Sequence, residues 1–479
     1  MTPREALKRY FGYDSFRPGQ EEIVSALLAG RDALAIMPTG AGKSLCYQVP
    51  ALLLPGLTLV ISPLISLMQD QVKGLNAAGI HAAFINSSLS ETQIARALDL
   101  AAEGSYKLVY VAPERLESPV FRSFAAGADI SMVTVDEAHC ISQWGQDFRP
   151  SYLKILDFID SLPRRPIVSA FTATATREVK DDIVCTLRLH DPKVLVTGFD
   201  RPNLYFQVER TRRKDDFVIQ YLRDHPGESG IIYCATRKNV ESVCQLLQDR
   251  GFSATRYHAG LPDQERQENQ EDFVYDRRRI MVATNAFGMG IDKSNVGYVV
   301  HYNMPKNLES YYQEAGRAGR DGEPADCILL YAPKDVQTAK FLILNAGENE
   351  ETSPEERTRF QTRDLERLDQ MVGYCKTTAC LRQYLLGYFG EHLAEPCGNC
   401  SSCQGNFVER DITVEAQKIL SGVARVERMY PYGLGVAQVI HMLRGSRNQR
   451  VLSLKLDTLP TYGILREVPR EQVQAYVDC

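Results

Sequence analysis

Short apolar runs alternate with longer stretches of helical periodicity over about the first 200 residues. Each run is rich in Val, Ile or Leu and ends in or beside Pro, Gly, Ser, Thr or Asp. Continuous apolar runs of this length are typical of buried parallel strands that are connected by crossover helices. The runs occupy residues 33–37, 57–62, 108–112, 131–135 and 167–171.

A second group of apolar runs follows, at residues 230–235, 279–283, 297–302 and 327–331. Gly198 and Pro202 interrupt the periodicity between the two groups. The pattern therefore predicts two α/β lobes, with ligand sites at the carboxyl ends of their strands. The domain boundaries that we expect are 1–204 for the first lobe, 205–340 for the second, 341–406 for a helical subdomain and 407–479 for a final domain.

Composition narrows the class of protein. The 479 residues are too many for one core, and the 44% hydrophobic and 24% charged content is that of a globular protein. The net charge of −5 argues against indiscriminate electrostatic binding to nucleic acid. No run reaches the ~18 apolar residues of a membrane span, and the N-terminus has no signal-like apolar core. We therefore expect a cytoplasmic protein without a membrane partner.

The segment after the first apolar run has the features of a phosphate-binding loop. It ends in Gly-Lys-Ser between an expected strand and an expected helix. The glycines allow backbone amides to surround a polyphosphate, Lys43 would neutralise its charge, and the Ser44 hydroxyl would hold Mg²⁺. A glycine-rich turn without a ligand is the alternative, because Met37 stands where the strict pattern has Gly. The candidate residues are Thr39, Gly40, Ala41, Gly42, Lys43 and Ser44.

Two acids and two arginines complete a candidate centre for phosphoryl transfer. Asp136 and Glu137 end the run at 131–135, where Asp136 would bind magnesium and Glu137 would orient and deprotonate the attacking water. Arg317 and Arg320 share one helix face, from which they could reach the γ-phosphate and stabilise charge in the transition state. A surface basic helix is the alternative for the arginines.

The Asp-Glu-Ala-His box, the Gly-Arg-Ala-Gly-Arg segment and the sequence between them resemble superfamily 2 helicases, and specifically the RecQ family of DNA helicases. The resemblance runs from residue 11 to about residue 466. It implies two RecA-like parallel-sheet lobes, a helical zinc-binding subdomain and a truncated winged-helix domain. It also implies an ATP-dependent enzyme that moves 3′ to 5′ on single-stranded DNA and unwinds duplex or branched DNA in repair and recombination.

The resemblance assigns several residues to ATP. Residues 11–13 and 16–20 look like the family's adenine-reading motif, in which Gln20 can read the base edge while Tyr13 and Arg17 pack against it. Asp292 lies where the second lobe of the family faces ATP.

Residues 141–150 resemble the family's aromatic-rich loop, which couples DNA binding to hydrolysis. Trp144 and Phe148 would stack on single-stranded bases, and Arg149 would contact the same strand. Burial of Trp144 in a core is the alternative. The family usually has His where this chain has Gln146, and Gln does not titrate.

Five of the twelve cysteines fall between Cys375 and Cys403. The last four have 16, 2 and 2 intervening residues, a spacing that favours a closed, structural four-thiolate Zn²⁺ site. Cys375 could compete as a ligand, but the family position favours Cys380. The predicted zinc ligands are Cys380, Cys397, Cys400 and Cys403.

Residues 412–466 look like the start of the family's winged-helix domain, in which Ser446, Arg447 and Asn448 would face duplex phosphates. A solvated polar loop is the alternative for these three residues. The family's strand-separating hairpin normally comes later than Cys479, so we expect this domain to be truncated.

Two other functions compete with a DNA helicase: an RNA helicase of related fold, and a non-catalytic DNA-binding scaffold for recombination. The aromatic-rich loop with the zinc cluster argues against the first, and the complete set of candidate catalytic residues argues against the second. The expected ligands and partners are ATP, Mg²⁺, Zn²⁺, single-stranded and duplex or branched DNA, and a single-strand-binding protein or repair factors. We expect a nucleoid-associated monomer.

Overall fold

The computed structural model describes residues 1–145, 147–287, 293–345, 354–405 and 410–478. It separates into two compact units, Met1–Gly405 and Asn406–Cys479, each of which is described by itself. Among the described residues, no helix is long and apolar enough to cross a membrane.

The first lobe contains a seven-stranded, all-parallel sheet in the order β3-β4-β2-β5-β6-β1-β7. Its central strands are buried on both faces because helices cover both sides. The strands are β1 Ala33–Ile36, β2 Leu57–Ile61, β3 Ala82–Ile85, β4 Leu108–Val111, β5 Ile130–Val135, β6 Ile167–Thr172 and β7 Lys193–Val196. The helices are α1 Pro3–Ala6, α2 Gln20–Leu28, α3 Lys43–Leu53, α4 Ile65–Ala77, α5 Glu91–Ala102, α6 Pro119–Gly127, α7 Pro150–Asp160 and α8 Arg177–Thr186.

The second lobe contains a six-stranded, all-parallel sheet in the order β10-β11-β9-β12-β13-β8. Its strands are β8 Leu204–Arg210, β9 Gly230–Tyr233, β10 Ala254–Tyr257, β11 Ile280–Ala283, β12 Tyr298–His301 and β13 Ala325–Tyr331. Its helices are α9 Lys214–Asp224, α10 Arg237–Asp249, α11 Asp263–Val274 and α12 Leu308–Ala315. The expected fold of two parallel-sheet lobes is confirmed.

All nine strands predicted from apolar runs are present, and four further strands were missed. The missed strands are β3, β7, β8 and β10, which are the four edge strands of the two sheets. An edge strand faces solvent on one side, so it does not need a continuous apolar run. In β7, for example, half-buried and exposed residues alternate.

Helices complete the first unit after the second sheet. The described helices here are α13 Pro333–Leu344, α14 Pro354–Lys376, α15 Leu381–Tyr388 and α16 Ser401–Gln404. Leu368, Met371 and Tyr374 of α14 are fully buried and belong to the same hydrophobic core as the faces of both sheets. The helical subdomain is therefore packed onto the lobes rather than tethered to them.

The second unit is a small helical bundle with its own core. Its helices are α17 Thr413–Met429, α18 Val436–Leu443, α19 Gln449–Ser453 and α20 Arg470–Asp478. The core contains Val426, Leu443, Leu456 and Val473. Residues 410–478 form helices and turns, with no strand among them.

Candidate functional site

The candidate phosphate loop lies at the carboxyl end of β1 and leads into α3. Gly40 and Gly42 have φ angles of 82° and 79°, a left-handed backbone that favours glycine. The helix begins at Lys43, so the backbone amides of its first turn point toward the loop. The Lys43 ammonium is 3.4 Å from the Met37 carbonyl oxygen, which holds the side chain over the loop.

The segment expected to read adenine lies directly against this loop. Gln20 is buried, and its amide donates to the carbonyl oxygens of Ala41 and Gly42 at 3.0 and 3.1 Å while it accepts from the Arg17 amide at 2.8 Å. The Arg17 guanidinium donates to the Gly40 carbonyl. Tyr13 is 53% exposed. The structure thus brings Arg17 and Gln20 to the phosphate loop, a contact that the sequence did not reveal.

The two acids follow β5 as expected, and both are largely buried. Asp136 accepts the Glu137 amide at 3.0 Å, and its carbonyl accepts the Tyr152 hydroxyl at 3.0 Å. Glu137 has a φ of 48°, a left-handed conformation that is strained for a residue with a side chain.

Burial, reinforced by the neighbouring Glu137 carboxylate, raises the pKa of Asp136. Burial alone would also raise the pKa of Glu137, but His139, Lys43 and then Arg317 outweigh it and lower that pKa. One Glu137 carboxylate oxygen lies 3.3 Å from a ring nitrogen of His139. Two adjacent carboxyl groups, both largely removed from solvent, are a donor set that suits a hard divalent cation.

The candidate arginine fingers lie in turns just after α12, so the expectation that they share one helix face is wrong. The second lobe nevertheless brings their segment to the phosphate loop. The Thr39 hydroxyl donates to the Gly316 carbonyl at 3.0 Å across the cleft between the lobes. A Cβ on Gly40 would lie 3.3 Å from the Arg320 side chain. Arg317 is close enough to Glu137 to lower the pKa of that carboxyl group. The loop, the acids and the arginines therefore meet in one cleft.

Arg201, in the connection between the lobes, also bridges the cleft. Its guanidinium donates to the Thr39 carbonyl at 3.3 Å and to the Gly319 carbonyl at 2.7 Å. The sequence marked this segment only as a break in periodicity. Its contacts across the cleft are all to backbone carbonyls, and its one side-chain acceptor, Asn203, lies two residues away in the same connection, so the sequence offered no partner in the other lobe.

A chain of hydrogen bonds joins the acidic box to α12. A ring nitrogen of His139 lies 2.9 Å from the Thr172 hydroxyl, which donates to the Thr174 carbonyl at 3.0 Å. The Gln313 amide of α12 then donates to the Thr174 hydroxyl at 3.0 Å. These bonds connect α12 of the second lobe to His139, two residues after Glu137.

The aromatic-rich loop lies against α14. Trp144 is 46% exposed, which excludes the core alternative, and the Arg363 guanidinium lies 3.7 Å from the centre of its ring. Phe148 stacks on Phe360 at 5.6 Å between ring centroids. Arg149 is paired with Asp147 at 2.9 Å. The sequence analysis missed Phe360 and Arg363 of α14, because the resemblance gave a role to the loop but not to the helix that packs against it.

Four cysteine thiols cluster at the end of the first unit. The Sγ atoms of Cys380, Cys397, Cys400 and Cys403 lie within 4.8 Å of one another. Burial acts to raise the pKa of Cys380, but amide donors from Cys397 and Gln383 outweigh it and lower the pKa to about 7. The cluster therefore fits a tetrahedral thiolate-bound ion. Cys375 is buried outside this group, and its carbonyl accepts from Arg210.

Three other predicted residues lie in the second unit. Ser446 and Arg447 precede α19, and the Asn448 side chain caps this helix by accepting the Val451 amide at 2.8 Å. These residues thus lie at the start of a helix, where the Asn448 side-chain oxygen already serves as the cap. Asp292 and Gln146 lie outside the described residues.

Known families match the chain in four consecutive segments. The DEAD/DEAH box helicase family matches residues 17–182, and the helicase conserved C-terminal domain matches residues 213–322. The RecQ zinc-binding family matches residues 333–404, and the RQC domain matches residues 406–478. The third match contains the four-thiol cluster.

Solved structures with the same fold include Dbp5 of Saccharomyces cerevisiae bound to RNA and ADP BeF3, at 19% identity. It has a TM-score of 0.58 over 76% of this chain and 97% of that chain. The helicase Lhr of Mycobacterium smegmatis, bound to ssDNA and AMP-PNP, has a TM-score of 0.56 at 19% identity, over 82% of this chain and 56% of that chain. At such identities these likenesses concern the fold alone.

Much closer relatives are found among curated sequences. The ATP-dependent DNA helicase RecQ of Bacillus subtilis is 46% identical over 98% of this chain and 78% of its own length. The protein of the same name from Pasteurella multocida is 42% identical over 100% of this chain and 73% of its own length. This chain therefore belongs to the RecQ family and is an ATP-dependent DNA helicase.

Proposed function

We propose that this helicase translocates 3′ to 5′ on single-stranded DNA and unwinds duplex and branched DNA in repair and recombination. The observation that supports the proposal best is the Thr39–Gly316 hydrogen bond of 3.0 Å, which joins the phosphate loop of one lobe to the arginine segment of the other. A nucleotide held between these two segments would change the contact between the lobes when it is hydrolysed. Motion of the lobes along a strand is the expected result.

Lys43 neutralises the β- and γ-phosphates, and the first-turn amides of α3 bind phosphate oxygens. Ser44 and Asp136 hold Mg²⁺, which supplies charge neutralisation on the phosphates when it is bound. Glu137, held in its left-handed conformation, orients the attacking water and accepts its proton. Arg317 and Arg320, the remaining members of the set, stabilise the charge that develops on the γ-phosphate.

The adenine base is held by residues that contact the phosphate loop in this structure. Gln20 uses both amide hydrogens on loop carbonyls, so reading the base edge requires the amide to exchange those partners for adenine. Tyr13, exposed at the surface, and Arg17 pack on the base. Asp292 faces ATP from the second lobe by resemblance.

Single-stranded DNA stacks on Trp144 and Phe148, and Arg149 contacts its backbone. Duplex phosphates are bound by Ser446, Arg447 and Asn448 of the second unit. The four cysteines hold a structural Zn²⁺ that fixes the helical subdomain. The protein acts as a nucleoid-associated monomer that is recruited by a single-strand-binding protein or by repair factors. Its four domains comprise residues 1–204, 205–340, 341–406 and 407–479.

A duplex panel tests the proposal. Strand displacement is measured with ATP and Mg²⁺ on DNA duplexes that carry a 3′ tail, a 5′ tail, a fork or blunt ends, and on the same duplexes made of RNA. We expect unwinding of 3′-tailed and forked DNA, and none of the 5′-tailed duplex. Preferential unwinding of the 5′-tailed DNA would refute the direction. Unwinding of the RNA panel at a rate equal to that of DNA would refute the substrate class.

A further inference from the structure

The connection between the two lobes places one guanidinium in the cleft with every one of its donors occupied. An arginine side chain has five N–H donors in a rigid planar fork, and those of Arg201 all meet an acceptor. The acceptors are the carbonyl oxygens of Thr39, Gly316, Ala318 and Gly319, at 3.3, 3.4, 3.1 and 2.7 Å, and the side-chain oxygen of Asn203 at 3.4 Å. A lysine, with three donors on one atom, could not satisfy this set.

The carbonyl acceptors of Arg201 lie on the two sides of the cleft. Thr39 belongs to the phosphate loop of the first lobe. The other three carbonyls belong to the finger turn, which we define as residues 316–320 and which contains both candidate arginine fingers. One side chain therefore holds the backbone of the finger turn against the backbone of the phosphate loop.

The finger turn also fits closely against its neighbours. The Asn203 amide donates to the carbonyls of Gly319 and Glu323 at 2.9 and 2.8 Å. A Cβ on Gly319, whose φ is 55°, would collide with that amide nitrogen. A Cβ on Gly316 would collide with the Thr39 hydroxyl. The two glycines allow a close backbone approach that leaves the turn little room to shift.

A simple structural bridge between two elements looks different. Arg210 is such a bridge, because it donates to the carbonyls of Cys375 and Lys376 at the end of α14, far from any residue assigned to ATP. The acceptors of Arg201 instead belong to the two segments between which the γ-phosphate is expected. Charge stabilisation in a transition state depends on exact placement, and a displacement of about 1 Å can cost on the order of 100-fold in rate.

We propose that Arg201 is a positioning residue for ATP hydrolysis: its guanidinium, together with the Asn203 amide, fixes the finger turn against the phosphate loop and so aims the two fingers at the γ-phosphate. This inference rests on the proposed role of Arg317 and Arg320 as fingers. No bond to the nucleotide is assigned to Arg201, which acts only through the backbone of the turn. Loss of its contacts should lower kcat and spare the binding of ATP in the ground state, because the fingers stabilise charge that develops in the transition state.

The first test is Arg201→Lys, which keeps the positive charge and removes the fork of donors. Arg210→Lys is the matched control, since it makes the same change at an arginine that also binds backbone carbonyls. Steady-state ATPase activity with saturating single-stranded DNA should show a roughly tenfold lower kcat for Arg201→Lys, with the KM for ATP within about twofold of the wild-type value. Arg210→Lys should leave both parameters unchanged. Equal losses in the two variants, or a change confined to KM, would overturn the proposal.

Asn203→Ala tests the same turn by a second route and does not depend on the folding of Arg201→Lys. This variant removes the donor to the Gly319 and Glu323 carbonyls and leaves the guanidinium in place. It should lower kcat by roughly fivefold, again without a matching change in KM. A wild-type kcat in Asn203→Ala would contradict the role of the turn.

A transition-state analogue separates positioning from general damage. Arg201→Lys should bind ADP with aluminium fluoride about tenfold more weakly than wild type and bind ADP alone equally well. In the Arg317→Ala/Arg320→Ala background, Arg201→Lys should cause no further loss of kcat, because the groups that it positions are gone. Additive losses would overturn the positioning role. Wild-type activity in the Arg317→Ala/Arg320→Ala variant would instead refute the proposed fingers, so the two failures are distinguishable.

Discussion

The Arg363 guanidinium lies over the Trp144 ring, 3.7 Å from its centre, and so joins α14 to the aromatic-rich loop. Arg363 also donates to the Gln143 carbonyl at 3.1 Å, and Arg367 donates to the Trp144 carbonyl. The loop is therefore held at its backbone and at its tryptophan by one helix. Because α14 belongs to the same core as the four-thiol subdomain, the support of the DNA-stacking residue extends to that subdomain.

Removal of Arg363 should loosen Trp144. Trp144 is the only tryptophan in the chain, so its fluorescence reports on the loop without a label. We expect Arg363→Ala to increase acrylamide quenching of this fluorescence, because a cation–π contact of about 0.5–1 kcal/mol is lost. Arg359→Ala is the control, since its guanidinium lies 6.0 Å from the ring centre and should matter less. Equal quenching in the two variants would contradict the arrangement.

Trp144 itself should carry much of the affinity for single-stranded DNA. Stacking of one base on an aromatic ring contributes about 1–3 kcal/mol, so Trp144→Ala should weaken binding by roughly 5- to 150-fold. The basal ATPase rate without DNA should stay near the wild-type value, while stimulation by DNA should fall. Fluorescence anisotropy with a labelled oligonucleotide measures the affinity. Unchanged anisotropy would remove Trp144 from the DNA site.

Substitution of Lys43 tests the phosphate loop. Lys43→Ala should reduce DNA-stimulated ATPase activity by at least about 100-fold, the size of loss seen when one donor to a developing charge is removed. Binding to single-stranded DNA should persist, because the aromatic-rich loop is unchanged. Lys154→Ala, which removes a surface lysine paired with Glu117, serves as the control. Hydrolysis at the wild-type rate in Lys43→Ala would refute the assigned site.

The sequence predicted the strands in which nearly every residue is buried, because such strands appear as continuous apolar runs. All nine strands that the apolar runs predicted lie in the two sheets, while edge strands such as β7 and β8 escaped detection. In β8, only Leu204 and Phe206 are buried and the strand becomes exposed toward Arg210, so pairing with β13 is what makes these residues a strand. Such pairing depends on a partner more than 100 residues away, which local patterns do not encode.

The residues of the candidate site also fall into a group that the sequence predicted and a group that it did not. Lys43, Asp136 and Arg317 follow from residue chemistry, because each functional group is close in sequence to the strand or helix end that positions it. The contacts of Arg201 and of Gln20 were not predictable, since both donate to backbone carbonyls that only the folded chain brings within reach. Backbone acceptors are identical at every residue and so leave no trace in the sequence.

The four-thiol cluster should bind about one zinc ion per chain. Cys380→Ser should lower the zinc content to near zero, because a three-thiolate remnant is open to chelators. Cys375→Ala is the control, since Cys375 is buried nearby but lies outside the cluster. Elemental analysis of the purified proteins measures the content. Zinc retained in Cys380→Ser, or lost only in Cys375→Ala, would overturn the ligand set.

The acidic pair should make folding stability depend on pH. Burial and the neighbouring Glu137 raise the pKa of Asp136 in the folded state. At a pH between the ordinary carboxyl pKa and this raised pKa, Asp136 is protonated in the folded state and loses its proton on unfolding. The unfolded state then binds fewer protons, and the contribution of Asp136 to stability falls as pH rises through that window. Without magnesium or nucleotide, Asp136→Asn should therefore stabilise the protein at pH 8 and change little at pH 4.

Melting temperatures of wild type and Asp136→Asn, measured with EDTA at pH 4, 6 and 8, test this expectation. The gain at pH 8 should be at least about 1 kcal/mol, the free energy of one pKa unit. The same variant should lose ATP hydrolysis. A gain in stability that is equal at all three pH values would mean that packing, rather than charge, is responsible.

Arg382 should be the arginine on which the junction between the lobes and the four-thiol subdomain depends most. It is buried, pairs with Asp200 at 2.7 Å and donates to the Arg201 carbonyl at 2.6 Å. Arg382→Ala leaves these acceptors without their donor. We expect the free energy of unfolding to fall by about 3 kcal/mol, the lower end for a broken buried pair, because Asp200 is partly exposed.

Arg210→Ala is the control. Arg210 is exposed and donates to the carbonyls of Cys375 and Lys376, so its loss should lower the free energy of unfolding by only about 1 kcal/mol. Urea unfolding of the two variants, followed by circular dichroism, distinguishes these values, and equal losses would show that Arg382 has no special part in the junction.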